Sequence, residues 1–113
     1  MKKQNRLLSL ILSLFLLLFT LVPQSALTVK MAVHFIDVGQ GNAILVQSGG
    51  QNLLYDGGDQ SHADLIISYL QEQNVENIDY MIASHYDEDH IGGLVPCIDN
   101  FSVSNIFGPD YVH

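Results

Sequence analysis

The run "IDYMIAS", Ile78–Ser84, constrains this chain more than any other. Apolar residues occupy both of its alternating faces, as in a parallel strand buried between neighbouring strands with helices packed over it. The flanking segments supply those neighbours. "KMAVHFIDV" (Lys30–Val38), "AILVQS" (Ala43–Ser48) and "QNLLYD" (Gln51–Asp56) read as three strands. "GQGN" (Gly39–Asn42) breaks the first from the second, and the Gly49-Gly50 pair is a hairpin signal. "SHADLIISYLQEQ" (Ser61–Gln73) has helical spacing, with Leu65/Tyr69 and Ile66/Leu70 as i,i+4 pairs. Ser61 and Asp64 form a capping-box pattern, and the helix is expected to end around Asn74. A short helix interrupted by Pro96 is expected over Ile91–Asn100, then a strand over "VSNIFG" (Val103–Gly108). The order βββ-α-β-loop-α-β predicts an α/β fold, a mixed sheet flanked by helices.

The charge is divided by position. Lys2, Lys3 and Arg6 lie in the first six residues; beyond Ala26, twelve acidic residues face Lys30 alone, a net charge of −11 with histidines neutral. Such a surface repels polyanions and offers no basic patch for nucleic acid. The start has the pattern of an export signal: basic "MKKQNR", then an apolar core of 16 residues from Leu7 to Val22, then Ala26 before a cleavage point. Gln24 is large for the −3 position, and the core is shorter than the roughly 20 residues of a spanning helix. Residues 1–26 therefore read as a signal peptide or an N-terminal membrane anchor, with membrane contact only through residues 7–22. Cys97 is the single cysteine, which excludes an internal disulfide and suits packing as a small hydrophobe.

The strand Ile78–Ser84 leads into "HYDEDHIGG", which places His85, Asp87, Asp89 and His90 within six residues. In an extended loop alternate residues share a side, so His85, Asp87 and Asp89 are expected to converge, with Tyr86 and Glu88 pointing away. Two imidazoles and two carboxylates suit one zinc ion, or a pair of manganese-, iron- or zinc-type ions. The competing reading is a solvated acidic turn. Histidines at both ends and closure by Gly92 and Gly93 favour the metal site. His34 and His62 sit singly, in a strand and at a helix start, and read as structural. Asp37 reads as a strand-end residue, and Gly39 and Gly41 as parts of a tight turn.

"SHYDEDHIGGL" resembles the H-x-[HD]-x-D-H signature of the metallo-β-lactamase superfamily. Asp87, where many members have histidine, is similar to the ComEC-like subgroup, the hydrolase domain of competence proteins. "HFIDVGQGNAILVQ", "LLYDGG" and "NIDYMIASH" resemble that subgroup's opening strand and turn, its metal-side aspartate segment and its feeding strand, in order, over about Ala32 to Asp110. The resemblance implies the N-terminal half of an αββα sandwich, with residues 30–113 a partial domain of this type. It implies His85 and Asp87 as ligands of a first metal and Asp89 and His90 of a second. Asp89 would also act catalytically, orienting or deprotonating the attacking water. Asp56 would stand behind the ligands, holding the loop by hydrogen bonds. Asn42 occupies a position where the subgroup has Asp. It keeps the hydrogen-bonding shape without the charge and is placed with Asp56 as a supporting residue. The further histidine and bridging aspartate of the family's second half have no match; Asp99, Asp110 and His113 are wrongly placed for them.

The expected function is a metal-dependent hydrolase, exported and either secreted or anchored to the outer face of the cytoplasmic membrane. It would use one or two divalent ions, zinc before manganese. It would attack phosphodiester or other ester bonds through metal-bound hydroxide, in a small-molecule or nucleic-acid substrate. One alternative is a truncated, inactive fragment or a non-catalytic exported module that binds metal or a partner. Another is a membrane-anchored domain whose work needs a separate chain. Half a sandwich leaves a sheet face without cover, so low stability or self-association through that face is expected.

Overall fold

A computed structural model describes residues 2–20 and 30–111. The first segment is a helix, α1 (Lys2–Thr20). Among the described residues no helix is long and apolar enough to cross a membrane. The expected cleavage region around Gln24 and Ala26 lies outside the described residues.

The second segment carries a five-stranded sheet in the order β1-β2-β3-β4-β5. Its strands are β1 (Met31–Phe35), β2 (Ile44–Ser48), β3 (Gln51–Tyr55), β4 (Asn77–Ile82) and β5 (Ser102–Phe107). The first three pair antiparallel, and β3, β4 and β5 pair parallel, so the sheet is mixed as expected. Gly49 and Gly50, at φ 59° and 81°, make the tight β2–β3 turn that the glycine pair predicts. The parallel steps need crossovers. A 3-10 turn (Gln60–His62) and α2 (Ala63–Glu72) make the first; α3 (Glu88–Ile91) and α4 (Leu94–Asn100) make the second.

Several boundaries differ from the expected ones. The first strand stops at Phe35 rather than Val38, because the chain leaves the ladder toward the Gly39–Asn42 turn. The third stops at Tyr55, because Asp56 takes φ 58°. The Ser61/Asp64 capping box does not form. Asp59 caps instead, accepting from the Ser61 amide at 2.7 Å, and the α-helix proper starts after His62, which makes no side-chain cap bond. α2 ends as expected, with Asn74 at φ 58° in the left-handed position that closes helices. The single helix expected over Ile91–Asn100 is two short ones, parted at Gly92 and Gly93.

One face of the sheet supports the core. Leu45, Leu54 and Met81 lie side by side in register and are buried with Ile66 and Leu70 of α2 and Leu94 and Cys97 of α4. On α2, Ile66 and Leu70 are the buried pair, whereas Leu65 is exposed. His34 bonds to the Tyr69 hydroxyl across the β1–α2 gap at 3.0 Å, a structural role as expected. The opposite face carries two apolar rows, Val33–Val46–Leu53–Tyr80 and Phe35–Ile44–Tyr55–Ile82–Phe107. Their central members are half-buried, while Phe35 is 78% and Phe107 53% exposed. Among the described residues this face is therefore only partly covered.

Candidate metal centre

Three loops meet beyond the carboxyl ends of β3 and β4, the position where open parallel sheets place their sites. They are Gly39–Asn42 after β1, Asp56–Asp59 after β3 and Ala83–Gly93 after β4. Backbone bonds join them: Asp56 N to Ile82 O at 2.9 Å, Gly57 N to His90 O at 2.7 Å, Gly58 N to Asn42 O at 2.8 Å and Gly93 N to Gly58 O at 3.1 Å. The fit leaves no room for side chains. Gly41, at φ 95°, lies so close to the Asp89 carbonyl oxygen that an added Cβ would collide with it. Gly57 and Gly93 touch backbone to backbone in the same way.

Asp56 is the centre of this junction and is fully buried. Its Oδ1 accepts from the Ser84 amide at 2.8 Å. Its Oδ2 accepts from the Ser84 hydroxyl at 2.7 Å, from His90 Nδ1 at 2.8 Å and from Asn42 Nδ2 at 3.3 Å. Burial by itself raises the Asp56 carboxyl. The bonds from His90, the Ser84 amide, the Ser84 hydroxyl and Asn42 together outweigh that and hold it below the usual carboxylate range. The group is therefore an ionised acceptor.

His85, Asp89 and His90 converge. Each offers a ligand atom, and these atoms lie within 4.8 Å of one another. The two imidazoles sit side by side, with ring centroids 3.9 Å apart. Asp89 is braced by Gln40, whose Nε2 donates to Oδ2 at 3.4 Å. The extended alternation expected through Asp89 stops at Asp87, because α3 starts at Glu88. Helical winding then carries Asp89 and His90 to the site on successive residues. Asp87 caps α3 with its backbone carbonyl, which accepts from the His90 and Ile91 amides. Its mostly exposed carboxylate lies at the rim, 3.4 Å from His85 Nε2, outside the convergent group of three. Glu88 is exposed, and Tyr86 donates its hydroxyl to the Pro109 carbonyl at 2.7 Å. Asp37 accepts from the Gly39 amide at 3.0 Å and His62 contacts Asp59, so both hold turns rather than the site.

The donor set fits a divalent cation. Two imidazoles and a carboxylate are suitable ligand types, and His90 Nδ1 is committed to Asp56, which leaves Nε2 free to ligate. Ser84, adjacent to His85, is the residue that sequence reasoning passed over, as merely the end of a strand. Its position immediately before the first histidine was the available signal. An open cavity of about 480 Å³ adjoins Asp89, lined by Gln40, Asp59, Ser61, Glu88 and Asp89.

Residues 36–110 match the model of the metallo-beta-lactamase superfamily, and the chain belongs to that superfamily of metal-dependent hydrolases. It is similar to the competence protein ComA of Neisseria gonorrhoeae, 35% identical over 73 residues, covering 64% of this chain and 11% of that protein. It is similar also to recombination protein 2 of Haemophilus influenzae, 42% identical over 66 residues, covering 54% of this chain and 8% of that protein. The chain thus spans about a tenth of the length of these relatives. In fold it resembles a metallo-beta-lactamase of Cronobacter sakazakii with a HARLDQ motif (TM-score 0.58, 18% identity, 66% of this chain and 27% of that one). It also resembles the mono-zinc form of the metallo-beta-lactamase FIM-1 of Pseudomonas aeruginosa (TM-score 0.50, 18% identity, 73% and 38%). The chain therefore covers only part of that fold.

Proposed function

We propose that this chain carries the metal-binding part of an exported hydrolase that cleaves phosphodiester or other ester bonds. The observation that carries this reading is the convergence of His85, Asp89 and His90 over a buried, ionised Asp56. His85, Asp89 and His90 would hold a divalent ion, zinc before manganese, with Asp87 able to join from the rim if a second ion binds. Such an ion supplies Lewis-acid polarisation and lowers the pKa of water. Asp89 would accept the proton of an attacking water at a carboxylate oxygen, a role supported by the Gln40 contact to one of its oxygens and by the adjoining cavity. Asp56 orients His90 and, with Asn42 beside it, keeps the ligand loop in register. The cavity's size and the −11 charge beyond Ala26 favour a small phosphodiester over a long nucleic acid. The basic start and apolar α1 support export or anchoring through residues 7–22.

A second reading, a non-catalytic exported module that binds metal or a partner, draws support from the half-open apolar sheet face. One comparison separates the two. Bound zinc and manganese and the hydrolysis of bis(p-nitrophenyl) phosphate are measured in the full chain and in its His85→Ala/Asp89→Ala variant. Metal-dependent turnover lost in the variant supports the hydrolase. Stoichiometric metal without turnover supports the binding module, and no metal in either protein refutes both.

A further inference from the structure

We infer that Ser84 is a positioning residue that relays the charge of Asp56 to His85 and so fixes which ring nitrogen of His85 is free to ligate. The inference rests on the metal-site reading above, but it is argued from a count of protons. A serine hydroxyl has one proton to donate and lone pairs to accept with. Ser84 Oγ has two strong neighbours, Asp56 Oδ2 at 2.7 Å and His85 Nδ1 at 2.8 Å. The Asp56 carboxylate can only accept, and an oxygen 2.7 Å from it with no proton between them would be repelled. The hydroxyl proton therefore goes to Asp56, and Ser84 Oγ can meet His85 only as an acceptor.

Neutral His85 then carries its proton on Nδ1, leaving a lone pair on Nε2. That is the minor tautomer of free histidine in water, so the site has to impose it. His90 reaches the same state directly, by donating Nδ1–H to Asp56 Oδ2 at 2.8 Å; its longer approach to Ser84 Oγ, 3.4 Å, is secondary. One buried carboxylate thus sets both imidazoles, one by contact and one through Ser84. Nε2 of His85 also faces Asp87 Oδ2 at 3.4 Å. A lone pair beside a carboxylate is an arrangement that a cation between them stabilises. Ser84 is held for this task by its own amide, which donates to the other oxygen of Asp56.

The test reads tautomers in the metal-free full chain, so it does not depend on turnover or on metal loading. Long-range ¹H–¹⁵N spectra at about pH 8.5, where an ordinary imidazole is neutral, are expected to show Nδ1–H on both His85 and His90. In Ser84→Ala, His85 should pass to Nε2–H while His90 stays as it was; Ser84→Thr should restore the wild-type pattern. A general loss of structure would change both rings, so the selective change is specific to the relay. Zinc titration should show affinity lowered roughly 10–100-fold in Ser84→Ala and regained in Ser84→Thr. His85 found as Nε2–H in the wild type, or as Nδ1–H in Ser84→Ala, overturns the relay. If the tautomers are as expected but no zinc binds, the relay stands and the metal-site reading fails.

Discussion

Replacement of Asp56 by Asn keeps the shape of a fully buried side chain and its tolerance of φ 58°, but removes the charge. The Asn oxygen can still accept from the Ser84 amide. Its NH₂ then takes the place of Oδ2, facing His90 Nδ1–H and the Asn42 amide, which are donors, and the Ser84 hydroxyl, which must turn its proton away to accept. Two strong bonds are lost, each to a charged acceptor and so contributing about 1.5–3 kcal/mol. Part returns, because a buried carboxylate no longer needs to be desolvated and because His90 can move its proton to Nε2 and accept from the new NH₂. The expected net loss is about 2–3 kcal/mol. The relaxation has a functional consequence: a proton on His90 Nε2 blocks the nitrogen that would ligate.

Urea unfolding of the metal-free full chain, followed by circular dichroism, measures the stability, and zinc titration measures the affinity. The expectation is a lower midpoint together with at least a tenfold loss of affinity. The pH dependence gives a third readout. The folded-state pKa of Asp56 is depressed, so its contribution is present above the unfolded value of about 4 and is lost as pH falls through the lower folded value. That acid-side loss should shrink in Asp56→Asn. A variant with the wild-type midpoint and wild-type zinc affinity would refute the claim that Asp56 organises the site.

Further outcomes follow from other parts of the fold. Gly41→Ala puts a Cβ against the Asp89 carbonyl at φ 95° and should cost at least about 2 kcal/mol in urea unfolding, with weaker zinc binding; a silent substitution would refute the close fit of the two loops. The Cys97 thiol, fully buried and pushed up to about 11 by burial, should not react with a thiol reagent at pH 8 until the chain is unfolded. Phe35→Ser/Phe107→Ser removes the two most exposed aromatics of the open sheet face. If that face mediates self-association, sedimentation should show the wild type shifting to larger species with concentration and the variant shifting less.

The parts legible in the sequence were those set by short-range patterns. Apolar runs placed all five strands, Gly49-Gly50 placed the hairpin, and the two-sided apolar run placed β4 between parallel neighbours. The errors fell where one local rule met a competing one. Ser61 and Asp64 satisfy the capping-box pattern, but Asp59 lies two residues ahead of Ser61 and takes its amide first, adding a 3-10 turn. The alternation rule brings His85, Asp87 and Asp89 to one side only while the chain stays extended. Asp87, whose backbone carbonyl accepts from the amides three and four residues on, starts a helix, so the convergent set becomes His85, Asp89 and His90.

Asp56 and Ser84 show why the rest of the site could not be read from spacing. They are 28 residues apart, and each looks ordinary in its own segment: an aspartate before two glycines, and a serine at a strand end. Their role arises because β3 and β4 are parallel and in register, with Tyr55 opposite Ile82, so that both strands release their chains at one edge. The same register places Leu54 beside Met81 on the covered face, so that packing holds the two strands in the alignment the site needs. The core thus determines where the buried carboxylate meets the ligand loop. A one-residue slip of β4 would exchange its faces, moving Met81 out of the core. It would also carry Ser84 and His85 away from Asp56, so the site and the core are specified by the same strand pairing.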